Sequence, residues 1–178
     1  MQLLREHPGL ALAKAPAIEL LHTHWVYAGD SALHVAAACH QAALVGRLLA
    51  LGADPGALNR RDAGPLHYAA DGLPDHPRWD PQAQAKVISL LLRAGADPGA
   101  KDKGGATPLH RAVRTRCSLA VKTLLKAGAS PRTRNHAGST PLKLTGMPTG
   151  RGGSGSVAAK REQTEILRLL KRAMKVLR

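Results

Sequence analysis

Nine histidines and two cysteines are the side chains of this 178-residue chain best able to hold a metal or act as nucleophiles. A zinc site needs four nitrogen or sulfur donors, supplied as closely spaced pairs. His22-x-His24 and Cys39-His40 are the close pairs present, and neither has a partner pair at zinc spacing. No metal ligand is therefore assigned. Gly150-Arg-Gly-Gly-Ser-Gly155 spells the glycine pattern of a dinucleotide-binding turn. That turn works only after a buried strand and with an acid about twenty residues onward to hold a ribose. No such strand precedes it, position 175 is lysine, and no Gly-Lys-Ser/Thr follows to cradle a phosphate. The chain reads as a non-enzyme with no catalytic residue and no cofactor.

Three of the histidines belong to a larger pattern. Ser31-Ala32-Leu33-His34, Gly64-Pro65-Leu66-His67, Thr107-Pro108-Leu109-His110 and Thr140-Pro141-Leu142-Lys143 start 33, 43 and 33 residues apart. Gly52-Ala53-Asp54, Gly95-Ala96-Asp97 and Gly128-Ala129-Ser130 keep matching offsets, so the unit is about 33 residues with one insertion. Thr107 suits a helix cap that accepts a backbone N–H, and Pro108 suits the first helical position, where an N–H would lack a partner. Leu109, Ala112 and Val113 form one apolar stripe. Leu119, Val121, Leu124 and Leu125 form a second, ended by Gly128, which can take the left-handed helix-end conformation.

Two short helices and a projecting turn per 33 residues, opened by Thr-Pro-Leu-His, closely resemble the ankyrin repeat. The resemblance implies an all-α solenoid of helix-turn-helix units with projecting finger turns, stacked as one domain over residues 1–178. Its parts are a degenerate cap at 1–28 and repeats at 29–59, 60–100, 101–133 and 134–178. In the cap, Leu3–Gly9 looks like a second helix, and Ala17 to His24 is expected to add a helical turn or two to the leading finger. Residues 71–81 enlarge the second repeat by ten residues too rich in proline for a helix, and imply a surface loop. Residues 146–156 are glycine-rich and read as a flexible insertion. Departures from the motif at Ser31-Ala32, Gly64 and Lys143 imply weaker interfaces there. From Ala158 to Leu177, Ile166, Leu169, Leu170, Ala173 and Leu177 share one face and Arg161, Arg168, Arg172 and Lys175 another, the pattern of a capping helix.

Charge and aromatics suggest what such a stack would bind. Lys and Arg number 26 against 12 Asp and Glu, a net charge of +14. The excess is all in the second part: residues 101–178 hold 18 basic and 3 acidic residues, against 8 and 9 in residues 1–100. In the ankyrin register Arg60, Arg61, Lys101, Lys103, Arg132 and Arg134 fall on successive fingers, and Arg111 and Arg114 on a first helix near the concave face. Together they form one basic stripe. Trp25, Tyr27, Tyr68 and Trp79 fall outside the main Leu/Ala core and are candidate anchors. The resemblance thus implies a protein-binding module for an acidic partner, with nucleic acid or another polyanion as the alternative. Cys39 and Cys117 lie about two repeats apart, too far for a disulfide. With no leader-like start and no apolar run near twenty residues, the reading is a monomeric cytoplasmic protein. Its rich Ala, Leu, Arg, Gly and Pro usage fits GC-rich, bacterial coding.

Overall fold

Ser31, Gly64, Thr107 and Thr140 each hold extended backbone (φ −88° to −93°) immediately before a helix. In three cases a proline occupies the first helical turn, where its missing N–H costs nothing. This start signal repeats through a computed structural model that describes residues 9, 13–14, 19–21, 24–72, 79–147 and 157–176. Two short strands come first among these residues, β1 (Glu19–Leu21) and β2 (His24–Val26). Three helix pairs follow: α1 (Ala32–Ala38) with α2 (Ala42–Ala50), α3 (Pro65–Ala70) with α4 (Pro81–Arg93), and α5 (Pro108–Arg114) with α6 (Ser118–Lys126). The last pair is α7 (Pro141–Leu144) and α8 (Val157–Val176).

The helices stack in two rows. First helices pack in the order α1, α3, α5, α7 and second helices in the order α2, α4, α6, α8, with each pair also packed internally. The core between the rows is aliphatic: Leu33, Leu48, Ile88, Leu91, Leu109 and Leu124 are all 0% exposed. The second helices α2, α4 and α6 each run into a glycine, and Gly128, at φ +89°, takes the left-handed conformation its position requires. Leu3–Gly9 lies largely outside the described residues, as do most of the glycine-rich stretch and Leu177.

Three histidines fasten one repeat to the next. His34 Nε2 lies 3.0 Å from the Ala63 carbonyl, His67 Nε2 3.1 Å from that of Ala106, and His110 Nε2 3.0 Å from that of Ser139. A carbonyl can only accept, so Nε2 carries the proton and Nδ1 is left as the acceptor. Nδ1 in turn takes the backbone N–H of Ser31, Gly64 or Thr107 at 3.1 Å. The Ser31 and Thr107 hydroxyls turn to the same nitrogen at 2.9 Å. Thr107 thus stands in a reciprocal capping box with His110, whose Nδ1 accepts the Thr107 N–H, a half of the box that the cap position alone did not announce. Thr140, which has Lys143 in place of histidine, caps directly, its hydroxyl accepting the Lys143 N–H. Nor do Ser31 and Gly64 loosen their interfaces in this respect, since the same inter-repeat bond is made in all three repeats.

Two stretches depart from expectation. Of Ala17 to His24, the described Glu19–Leu21 and His24 are strand and not helix: Glu19 pairs with Val26 and Leu21 with His24 in an antiparallel ladder. Three-residue strands gain their stability from pairing, which local propensity does not report. In the second repeat, Pro81 is not part of a loop but the first residue of α4, which spans 13 residues where α2 and α6 span 9. Asp80 caps it, accepting the Gln82 N–H at 2.7 Å. Four of the ten inserted residues thus become one extra helical turn, because proline breaks helix interiors but starts helices well.

That turn seats the insertion. Gln84, fully buried, donates to the Ala69 and Ala70 carbonyls at 3.0 and 3.3 Å and accepts Trp79 Nε1–H at 3.2 Å. Gly72 is buried so closely that a Cβ there would lie 2.2 Å from Cys117 Sγ. Residues 73–78 fall outside the described residues.

The repeat histidines give the fold an acid limit. Burial, reinforced by the nearby Arg111 cation, lowers the pKa of His67 from 6.5 to about 4, despite opposing pulls from Asp102 and Asp71. Burial also lowers His34 and His110. Below pH 6.5 the unfolded chain takes up protons that the folded chain refuses. The stabilisation is therefore complete above about 6.5 and is lost as pH falls toward 4, by on the order of 3 kcal/mol for His67 alone. Urea denaturation at pH 7 and pH 4.5 should show this loss, with a shallower pH slope in His67→Gln; equal stability at the two pH values would refute it. Gly72→Ala should cost about 1–3 kcal/mol through overpacking. Cys117→Ala in the same chain should recover part of that cost, which a double-mutant cycle of thermal melts would detect.

Candidate partner-binding surface

The finger turns are stiffened from within by one recurring acceptor. Asn59, Asp102 and Asn135 each stand five residues before a capping position. Asn59 Oδ1 accepts the Arg61 and Ala63 N–H groups at 2.8 and 3.1 Å. Asp102 Oδ1 accepts those of Gly104 and Ala106 at 2.9 and 3.0 Å, and Asn135 Oδ1 that of Ser139 at 2.9 Å. These side chains mimic a turn and free the basic residues beside them to point outward.

Neighbouring fingers are also joined along the stack. The Arg60 N–H donates to the Ala28 carbonyl at 3.2 Å, Lys103 N–H to the Arg61 carbonyl at 2.9 Å, and His136 N–H to the Gly104 carbonyl at 2.9 Å. Lys101 and Arg134 occupy equivalent finger positions, as do Arg60, Lys103 and His136. Arg60, Arg61, Lys101, Lys103, Arg132 and Arg134 are all exposed. The Arg61 guanidinium lies 5.1 Å above the Tyr27 ring, a cation–π contact. Arg134 Nη1 donates to the Gly138 carbonyl at 2.8 Å, and Arg132 Nη2 to the Met174 carbonyl at the end of α8 at 3.0 Å. The fingers thus bring six of the eight predicted basic residues into successive turns on one edge.

Arg111 belongs elsewhere. Its guanidinium donates to Asp71 Oδ2 at 3.0 Å and Asp102 Oδ2 at 2.9 Å, and its side chain is only 14% exposed. The two carboxylates offset the cost of burial and raise its pKa. Asp102 responds in the opposite sense: its pKa is lowered by the bonds from Arg111 and two finger N–H groups, against burial. Arg111 therefore ties the start of the 71–81 insertion to the next finger and is not an outward cation of the stripe. Arg114 remains exposed, 3.8 Å from Asp71.

Tyr68 likewise is not an exposed anchor. It is 8% exposed and part of the core. Its hydroxyl donates to Asp30 Oδ2 at 3.0 Å and accepts from Asn59 Nδ2 at 2.9 Å, and its ring meets His34 edge-on at 5.3 Å. Asp30, itself 2% exposed, also accepts Asn59 Nδ2–H and the Tyr27 N–H, each at 2.7 Å. The Arg111 guanidinium lies over the Tyr68 ring, 5.9 Å from its centroid. Asp30, Tyr68, Arg111 and Asp71 form one polar thread through three repeats. Tyr27 and Trp79 are half-buried and packed against the core without belonging to it, so among these three it is Tyr68 that overturns the placement of the aromatics outside the core. Trp25 lies on β2, opposite Leu20 across the ladder.

Sequence reasoning missed Asp30, Asn59, Asp71, Gln84 and Asp102. The recurrence of Asn or Asp five residues before each cap was a readable signal for two of them. Cys117 is buried and its thiol is pushed up to about 12, while Cys39 is exposed; both are free.

Removing the Arg111 guanidinium leaves two carboxylates without their charged donor. Arg111→Met should cost about 2–3 kcal/mol, as expected for charge-assisted hydrogen bonds away from bulk water. The exposed Arg114→Met should cost under about 0.5 kcal/mol. Chemical denaturation of both variants measures the contrast, and equal costs would show that the Arg111 contacts carry no stability.

The geometry agrees with family comparison. Models of the ankyrin repeat match residues 28–60 and 63–103, and a model described as ankyrin repeats in many copies matches residues 91–144. No curated protein matches the chain. Repeat length, capped helix pairs, inter-repeat histidines and these matches agree, and the chain belongs to the ankyrin-repeat family.

Proposed function

We propose that the chain is a non-catalytic interaction module that binds an acidic segment of another protein across its fingers. Ankyrin repeats generally mediate protein–protein interaction, and this stack offers what such binding needs. The observation that carries the reading is the edge of exposed Arg60, Arg61, Lys101, Lys103, Arg132 and Arg134, on fingers held in place by main-chain bonds to their neighbours. A surface already ordered before binding loses little further entropy, and a single-sign edge speeds encounter with an opposite charge. Arg114 extends this edge onto α5, and Tyr27 beneath Arg61 supplies a partly exposed apolar element.

Nucleic acid along the fingers is the weaker reading. Single strands along the fingers would draw on exposed aromatics for base stacking, whereas Tyr68 is consumed inside the core and Trp79 is held by Gln84. A monomer in a reducing, cytoplasmic compartment fits a chain whose two cysteines are unpaired. Among the described residues, no helix is long and apolar enough to cross a membrane.

A fluorescent peptide of about a dozen alternating Asp and Ala residues provides the test, read by stopped-flow mixing at several salt concentrations. Association should slow as salt rises, and serine at Arg60, Arg61, Lys101 and Lys103 together should lower the rate and flatten its salt dependence. An unchanged salt dependence would remove the finger edge from the mechanism. Capture from native lysate, with and without nuclease, would then identify the partner as a protein that stays bound after nuclease treatment.

A further inference from the structure

The densest run of one charge lies at the far end of the stack, on α8. At about 100° per residue, the buried Ala159, Ile166 and Leu170 fall within an arc of about 40°. Lys160, Arg161, Arg168, Lys171, Arg172 and Lys175 are all exposed and fall within an arc of about 120° on the opposite side. They extend along about 22 Å of the helix axis.

The acids of α8 do little to neutralise this arc. Glu162 Oε2 accepts the Ser118 N–H at 2.7 Å and so caps the start of α6. Glu165 pairs with Arg168 through two bonds, at 2.7 and 2.8 Å. Lys160, Arg161, Lys171, Arg172 and Lys175 remain without a carboxylate on their own helix. A terminal cap needs only a polar outer face, which mixed charges would supply. Here Arg168 and Arg172, and Lys171 and Lys175, stand four residues apart, a spacing at which like charges destabilise a helix. The stripe thus costs stability that capping does not require.

The structure also narrows what could offset that repulsion. An amphipathic helix enters a bilayer surface through its apolar face, and in α8 that face is packed against α6. Binding of single strands relies on aromatic stacking, and α8 contains no aromatic residue. What remains is a band of cations about 22 Å long on one face of α8, long enough to meet several phosphates of a duplex that carries one charge per about 1.7 Å of its axis. We propose that the outer face of α8 binds the phosphate backbone of duplex nucleic acid without reading its sequence. This site is separate from the fingers and does not depend on how they bind.

The test uses the full chain and a fluorescein-labelled 20-base-pair DNA of mixed sequence, followed by anisotropy between 50 and 200 mM salt. Phosphate contacts made by three to five cations predict a log–log slope of about −2.7 to −4.5. Serine at Lys171, Arg172 and Lys175 should make the slope shallower by two to three, about one unit for each lost phosphate contact. All three are exposed, and a circular dichroism spectrum matching the parent's, with a melt as cooperative, will verify the fold. The finger variant with serine at Arg60, Arg61, Lys101 and Lys103 should bind the duplex as the parent does. No binding at 50 mM salt overturns the proposal, as does binding lost in the finger variant but kept in the α8 variant. Binding to vesicles containing 30% phosphatidylserine without binding to the duplex overturns it as well.

Discussion

Everything in this stack depends on keeping three buried imidazoles neutral and in one tautomer. Each repeat opens with a helix N-terminus whose first N–H groups need acceptors. The histidine turns its unprotonated nitrogen back to that start and its N–H forward to the next repeat's carbonyl. One ring therefore satisfies a local and a distant group together, and a repeat that cannot fold alone gains directional contact with its neighbour. Ser31, Gly64 and Thr107 are interchangeable before it because the histidine, rather than the residue being capped, is the common acceptor.

Charge is organised by depth. Inside, cation and anion are matched: Arg111 takes two carboxylates, and Asp30 takes three donors from Tyr27, Asn59 and Tyr68. Outside, the excess of basic residues collects on the fingers and on α8. Buried pairs add to specificity of packing only when every partner is present, while unpaired surface cations act at a distance on whatever approaches. The +14 net charge by itself distinguishes none of these roles.

The repeats were legible because their signals are local. A cap, a proline, an apolar stripe and a terminal glycine recur at fixed offsets, each with a backbone reason. What could not be read depends on residues far apart in the chain. Tyr68 is buried because Asp30, 38 residues earlier, receives its hydroxyl, and Asp30 belongs to no repeated position. Arg111 looked like a free cation because Asp71, 40 residues earlier, appeared only as the first residue of an insertion. Pro81 was misplaced for a different reason: the same residue that ends a helix also begins one, and only the buried Gln84 after it separates the two outcomes. The finger edge followed from the register, and the main-chain bonds between fingers give it a physical basis.

The extra turn of α4 changes what the second repeat can tolerate. Asp71 is fastened to Arg111 on one side of the insertion and Trp79 to Gln84 on the other, so both ends of the intervening segment are fixed by the body of the stack. Closing a segment between fixed ends costs entropy that grows only with the logarithm of its length, about 0.6 kcal/mol per doubling. The contacts that seat this repeat on either side are thus made by Asp71 and Trp79 themselves, and added length between them costs this slowly growing entropy, making the second repeat the place in the solenoid most open to grafted sequence.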